Sequence, residues 1–150
     1  MLKLSKKVEY ALIAMIYMSE KDQGELTTAR ELSRQFNIPS ELLGKVLQHL
    51  ARKGLIVSVQ GVKGGYQLPR SLDKISLAEV ITSVEGPIQL VNCVDPVDCG
   101  CEQFDYCNIR SPMGQVQSSL FQFLNQITLK DLQQHHWQYI GMPTTNTQPG

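Results

Sequence analysis

The chain of 150 residues has no long apolar run, no surplus of charge and no cysteine outside one window of fifteen residues. Its longest apolar stretch, residues 10–18, spans nine positions, whereas a helix that crosses a bilayer needs about 20. No membrane span is expected, and 42% apolar residues point to a globular chain of one domain, or one small domain with an appendage. Residues 1–7 run into a segment with helical spacing and hold no small-residue cleavage site, so a signal peptide is not expected and the cytoplasm is the expected compartment. Thiols there stay reduced, and clustered cysteines bind metal more often than they pair. A phosphate-binding glycine loop with a catalytic lysine is also missing, as is a nucleophile with its base, so enzymatic activity is not expected. The three histidines add nothing to the contrary: His49 sits among leucines as a packed or partly exposed side chain, and His135 and His136 adjoin Trp137. The closing residues, 133–150, are rich in Thr, Gln and Pro and read as a disordered tail.

The zero net charge conceals an asymmetry. Residues 1–72 carry eleven Lys or Arg against six Asp or Glu, a balance of +5, and residues 73–150 carry three against eight, a balance of −5. A basic half beside an acidic half fits a nucleic-acid reader joined to a regulatory part.

The basic half divides into short helices with readable starts. Residues 5–19 form an opening helix with Val8, Ala11, Leu12 and Met15 on one stripe, while Ile13, Ala14, Ile16 and Tyr17 make its other sides apolar too. Such a helix needs cover all round, partly from the core and partly from a second subunit. Asp22-Gln23-Gly24 is a turn, and Thr28-Ala29-Arg30-Glu31 is a capping box that opens a helix reaching about Phe36. After Asn37-Ile38-Pro39-Ser40, the residues Leu43, Val46, Leu47 and Leu50 mark the buried face of a third helix that ends near Gly54. Two short helices with a tight connection make a helix-turn-helix candidate.

Residues 55–59 and 66–68 are strand-like, and Gly61-Val62-Lys63-Gly64-Gly65 between them is a glycine-rich hairpin tip with one cation. Helix-turn-helix followed by a two-stranded hairpin is the winged-helix order, in which the third helix enters the major groove and the wing lies along the backbone or in the minor groove. Glu41, Lys45, Gln48 and Arg52 form one solvent stripe on that helix, opposite the leucines. Lys and Arg reach phosphate or guanine, Gln pairs with adenine and Glu accepts from cytosine, while Ser40 can offer a hydroxyl or N–H to a phosphate. Lys63, Gly64 and Tyr66 of the wing complete the candidate interface with double-stranded DNA.

Ser76-Leu77-Ala78-Glu79 is a second capping box, with Ile75 and Val80 as a staple, and Gly86-Pro87 ends the helix it opens. Residues 88–110 follow as a loop longer than a compact domain carries without a function. Cys93, Cys99, Cys101 and Cys107 lie on it, and their spacing lacks the paired CxxC of zinc ribbons. The four thiolates suit an iron-sulfur cluster of two or four irons, and they also suit tetrahedral zinc. Ser111-Pro112 then opens a helix whose stripe of Val116, Leu120, Phe123, Leu124 and Ile127 needs a partner, either a second subunit or the chain's own domain. The expected fold is mainly α with a small β-hairpin wing: a winged helix-turn-helix over 1–86, a cysteine-rich loop over 87–110, and a long dimerisation helix with a short terminal helix over 111–132.

Glu9-Tyr10-Ala11-Leu12, Ile38-Pro39, Gly54-Leu55-Ile56 and above all Gly61-Val62-Lys63-Gly64-Gly65-Tyr66 resemble the Rrf2 family of bacterial winged-helix transcription regulators. The resemblance continues through residues 75–80, 84–87, the cysteine loop and residues 123–132, and covers about residues 2–132. It implies a homodimer on palindromic operators and, in the cysteine-bearing branch, an iron-sulfur cluster near the dimer interface that senses redox state, iron or a reactive gas. It also implies three cysteine ligands, which fit either Cys93, Cys101 and Cys107 or Cys93, Cys99 and Cys107. The fourth donor in some members is an acidic residue near the start of the other subunit's first helix, which Glu9 matches, so Glu9 competes with the remaining central cysteine. Members with a histidine just after the last cysteine differ from this chain, where Asn108, Ile109 and Arg110 follow Cys107. Two other readings stand beside this one: a zinc-stabilised winged-helix DNA-binding protein, and an iron-sulfur redox carrier.

Overall fold

A computed structural model describes residues 2–91 and 100–134. The first helix, α1 (Lys6–Ser19), starts where the Ser5 hydroxyl accepts the Val8 N–H at 3.3 Å. It buries Val8, Ala11, Ala14, Met15 and Met18, while Leu12, Ile13, Ile16 and Tyr17 stay half-buried. In helix α2 (Ala29–Phe36) the Thr28 hydroxyl accepts the Glu31 N–H at 3.1 Å. The capping box is made in half: the Glu31 carboxylate accepts from Lys21 Nζ at 2.8 Å instead of returning to Thr28. Asn37 ends α2 in the left-handed region, φ 53° and ψ 47°, a conformation its short polar side chain tolerates.

Helix α3 (Ser40–Arg52) has Pro39 at its N-cap and no side-chain cap there. A missing cap costs about 1 kcal/mol. Leu43, Leu47 and Leu50, each fully buried, outweigh it at about 1.5–3 kcal/mol apiece. The chain leaves α3 through Leu55 and Ile56, both buried, and only then forms β1 (Val57–Val59). The strand is therefore shorter than the strand-like run 55–59, because its first two residues plug the core instead of pairing. Strand β2 (Gly65–Gln67) pairs antiparallel to β1 with Ser58 opposite Tyr66. Tyr66 also exchanges backbone hydrogen bonds with Thr27 at 2.8 and 2.9 Å, which ties the wing to the segment ahead of α2.

A 3-10 turn (Leu72–Lys74) leads to α4 (Leu77–Glu85), where Ser76 Oγ accepts the Glu79 N–H at 3.1 Å. The Glu79 carboxylate again turns elsewhere, to Arg70 Nη2 at 2.6 Å. Helix α5 (Arg110–Gln126) begins with Ile109 at its N-cap and no side-chain cap, so Ser111, which the sequence offers as the capping residue before Pro112, lies inside the first turn instead. Pro112 is accommodated because the first N–H groups of a helix have no partner in it, and the first closing bond runs from Met113 N–H to the Ile109 carbonyl at 2.8 Å. Helix α6 (Leu129–Gln134) opens on a complete reciprocal cap, Asp131 N–H to Thr128 Oγ1 at 3.1 Å and Thr128 N–H to Asp131 Oδ2 at 2.9 Å.

The main core joins α1, α2, α3, α4 and α6 through Met15, Leu32, Leu47, Leu50, Val80 and Leu129. A second cluster, Val8, Leu77, Ile81 and Ile127, receives Phe123 and Leu124 at the far end of α5. The stripe on α5 is covered by its own domain only in part. Its C-terminal end folds back on its own domain, whereas Val116 and Phe121 remain 50% and 41% exposed. No helix among the described residues is long and apolar enough to cross a membrane.

Candidate functional site

The solvent face of α3 is as the 3.6-residue period requires: Ser40, Glu41, Lys45, Gln48 and Arg52 are all exposed. The turn after α3, with Leu55 N–H on the Leu50 carbonyl at 3.0 Å, sends the chain directly into the wing. At the wing tip Lys63 is exposed and Val62 fully so, and the Gly64 N–H closes on the Gly61 carbonyl at 3.0 Å. The turn is too tight for side chains at two positions. A Cβ at Gly64 would lie 2.6 Å from the Val59 carbonyl oxygen, and one at Gly65 2.9 Å from that of Thr27. Tyr66 is half-buried and packs against the main core, so its ring supports the wing's base.

Beside α3 lies a cleft of about 320 Å³ whose walls include Lys7, Lys45 and Arg52. Its far wall is the end of α4, held in place by two contacts. His49 Nε2 donates to the Ser83 carbonyl at 2.5 Å, and the Ser5 hydroxyl bonds the Glu85 carboxylate. His49 is therefore a half-buried tether between α3 and α4.

Of the four cysteines, Cys93 and Cys99 lie outside the described residues, as do His135, His136 and most of the tail 133–150. Cys101 and Cys107 are free thiols and half-buried. They flank consecutive turns in which Phe104 N–H reaches the Cys101 carbonyl at 3.2 Å and Tyr106 N–H reaches the Gln103 carbonyl at 3.0 Å. Arg110 clamps this segment onto α5. Its guanidinium donates to the Phe104 carbonyl at 3.3 Å and lies 4.2 Å from the centre of the Phe104 ring. Part of the loop 88–110 thus has order of its own. Spacing could not reveal the Phe104–Arg110 clamp, because six residues through a turn have no fixed period.

Glu9 sits half-buried at the start of α1 and pairs with Lys6 at 2.9 Å. That hydrogen bond and the carboxylate charge hold the Lys6 ammonium above its usual range. Within this single chain and among the described residues, no three His, Cys, Asp or Glu side chains come together as a metal site. Glu9 and the described thiols are therefore not gathered by one subunit.

The Rrf2 family model, described as an iron-dependent transcriptional regulator, matches residues 4–135. The chain belongs to the Rrf2 family. Among similar proteins, the HTH-type transcriptional regulator NsrR of Bacillus licheniformis is 26% identical over 131 residues, covering 87% of this chain and 92% of that one. The structure of CymR, the global cysteine regulator of B. subtilis, superposes with a TM-score of 0.69 at 28% identity, over 90% of this chain and 98% of that one. IscR of T. potens superposes with a TM-score of 0.68 at 25% identity, over 89% and 88%. The fold is the winged helix of the Rrf2 regulators and the protein is a transcription regulator of that DNA-binding family, a family of regulators and not of enzymes. The family is described by its dependence on iron, whereas CymR is a cysteine regulator, so membership leaves the signal to be argued from the residues.

Proposed function

We infer that this Rrf2 regulator is a cytoplasmic homodimer that holds an iron-sulfur cluster on its cysteine loop and reads palindromic operators in double-stranded DNA. The observation that carries the cluster is the Cys101–Cys107 segment: two free, half-buried thiols on a turn that Arg110 clamps to α5. A loop of four cysteines with no other cysteine in the chain has the donor chemistry of a cluster site. Cys93, Cys101 and Cys107 are the proposed ligands, with Cys99 or the partner's Glu9 in the fourth position. Glu9 must leave Lys6 to serve, and in this reading it comes from the other subunit of a dimer made through α5.

When bound, the cluster supplies a centre whose oxidation or loss changes charge and coordination on the loop. The chain's own contacts carry that change to DNA. The loop departs from the end of α4, where Ser83 and Glu85 are bonded to His49 of α3 and Ser5 of α1. A shift of that end moves α3, and a dimer whose two reading helices change spacing no longer matches both half-sites. On α3, Lys45 and Arg52 would meet phosphate or guanine, Gln48 adenine, Glu41 cytosine and Ser40 phosphate. Lys63 and the backbone at Gly64 and Tyr66 would follow the DNA backbone.

Anaerobic purification followed by an absorption spectrum tests the cluster. Visible charge-transfer bands, lost in Cys101→Ala and Cys107→Ala, are expected; a colourless protein with stoichiometric zinc would overturn the reading in favour of structural metal. Cys99→Ala and Glu9→Ala measured side by side identify the fourth ligand, since the change that leaves the bands intact marks the residue that is not one. Equal affinity for DNA with and without the cluster would end the sensing role.

A further inference from the structure

The two lysines that open α1 are adjacent, but only Lys6 has a carboxylate at helical spacing. Lys6 is neutralised by Glu9. Lys7 is in no ion pair among the described residues, and neither are Lys45 and Arg52, the other cations on the cleft beside α3. These three side chains surround a floor of Leu42, Val46 and Val84, and no carboxylate lines the cleft. His49 closes one wall with its Nε2–H committed to the Ser83 carbonyl. Three unpaired cations around an apolar floor repel one another, and a ligand with two or more anionic oxygens offsets that repulsion.

The cleft's position identifies the ligand. Leu42 and His49 lie on one flank of α3, between its exposed stripe and its buried face, with Val46 at the edge of the latter. When the stripe enters a major groove, this flank faces one of the two sugar-phosphate strands that border the groove. We propose that Lys7, together with Lys45 and Arg52, forms a seat for the DNA backbone, so that the start of α1 belongs to the DNA footprint and clasps the phosphates beside the reading helix. This rests on the reading that α3 enters the major groove. The Ser5–Glu85 and His49–Ser83 contacts that build the seat are made at the end of α4 from which the cysteine loop departs, so a shift of that end would open the clasp as well as turn α3.

The test is the salt dependence of binding to a mixed-sequence DNA duplex, measured between about 50 and 200 mM salt, because phosphate contacts need no particular sequence. Lys7→Gln should flatten the log-log slope by about 0.9, the share of one phosphate contact. Lys7→Arg should restore the wild-type slope. Lys130→Gln, which removes the same charge from the exposed face of α6, should leave the slope unchanged. If Lys7→Gln keeps the wild-type slope, or if Lys130→Gln flattens it equally, the clasp is refuted while groove entry by α3 stands. If Arg52→Gln and Lys45→Gln also leave binding and slope as in the wild type, groove entry by this face falls and the clasp falls with it.

Discussion

Helices α3 and α5 begin alike and end up differently. Neither has a side-chain cap, and both carry apolar residues at helical spacing, yet α3 buries four residues in thirteen and α5 buries none in seventeen. The leucines of α3 keep to one face, which α1, α2 and α4 cover, and leave polar residues outside. On α5, Phe123 and Leu124 pack against Val8, Leu77, Ile81 and Ile127, while Val116 and Phe121 stay exposed. A helix completed by its own chain displays a polar face that can meet DNA. Helix α5 is left with Val116 and Phe121 exposed, about 140° apart around its axis, so apolar side chains meet solvent on two of its sides.

The largest effect is expected at Leu47→Ala. A fully buried leucine at the centre of α3 should cost about 2–5 kcal/mol in denaturant unfolding, and a cost below about 1 kcal/mol would mean that α3 is not completed by its own chain. Next, Val116→Glu combined with Phe121→Glu should weaken the dimer by at least about 10-fold, roughly 1.4 kcal/mol, in sedimentation equilibrium, with helix content retained. An unchanged association constant would show that the exposed part of α5 faces solvent and not a second subunit. The smallest effect is expected at Ser76→Ala. This hydroxyl caps α4 and donates to Asn125 Oδ1 of α5 at 2.9 Å, so it joins the two regions. Its loss should cost about 1 kcal/mol, and hydrogen exchange should rise at both the start of α4 and the end of α5. Faster exchange in α4 alone would make the link to α5 incidental.

Helices α1 to α4 were legible because their signals are local. Thr28 and Ser76 cap where their capping boxes stand, and Ser5 marks the start of α1 as its cap, one residue outside the helix. Leu43, Val46, Leu47 and Leu50 are buried as their spacing requires. The order helix, helix, hairpin was enough to read the winged helix, and the family match agrees with it. The exposed stripe of α3 followed from the same period. Less legible were places where residues distant in sequence compete for a partner. Glu31 and Glu79 have the spacing of capping boxes, but Lys21 and Arg70 take their carboxylates. Helix α5 starts at Arg110, just before Ser111-Pro112, because the first N–H groups of a helix need no partner within it and a proline there does not mark the first residue. Thr27 gave no sign of its pairing with Tyr66, since a one-residue bridge has no periodicity.

By itself the sequence determined which faces of the helices are apolar, where three of them start, and that all the thiols gather on one loop. These properties depend on neighbours within a turn or on simple proximity along the chain. The tertiary structure decided which charges are spoken for and which helix is left uncovered. Lys6 and Lys7 are adjacent and chemically identical, yet the fold pairs one with Glu9 and places the other on a cleft with Lys45 and Arg52. The Lys6–Glu9 pair is an i,i+3 contact within one turn, but the cleft that Lys7 shares with Lys45 and Arg52 depends on how α1, α3 and α4 pack, and no local pattern records that distance.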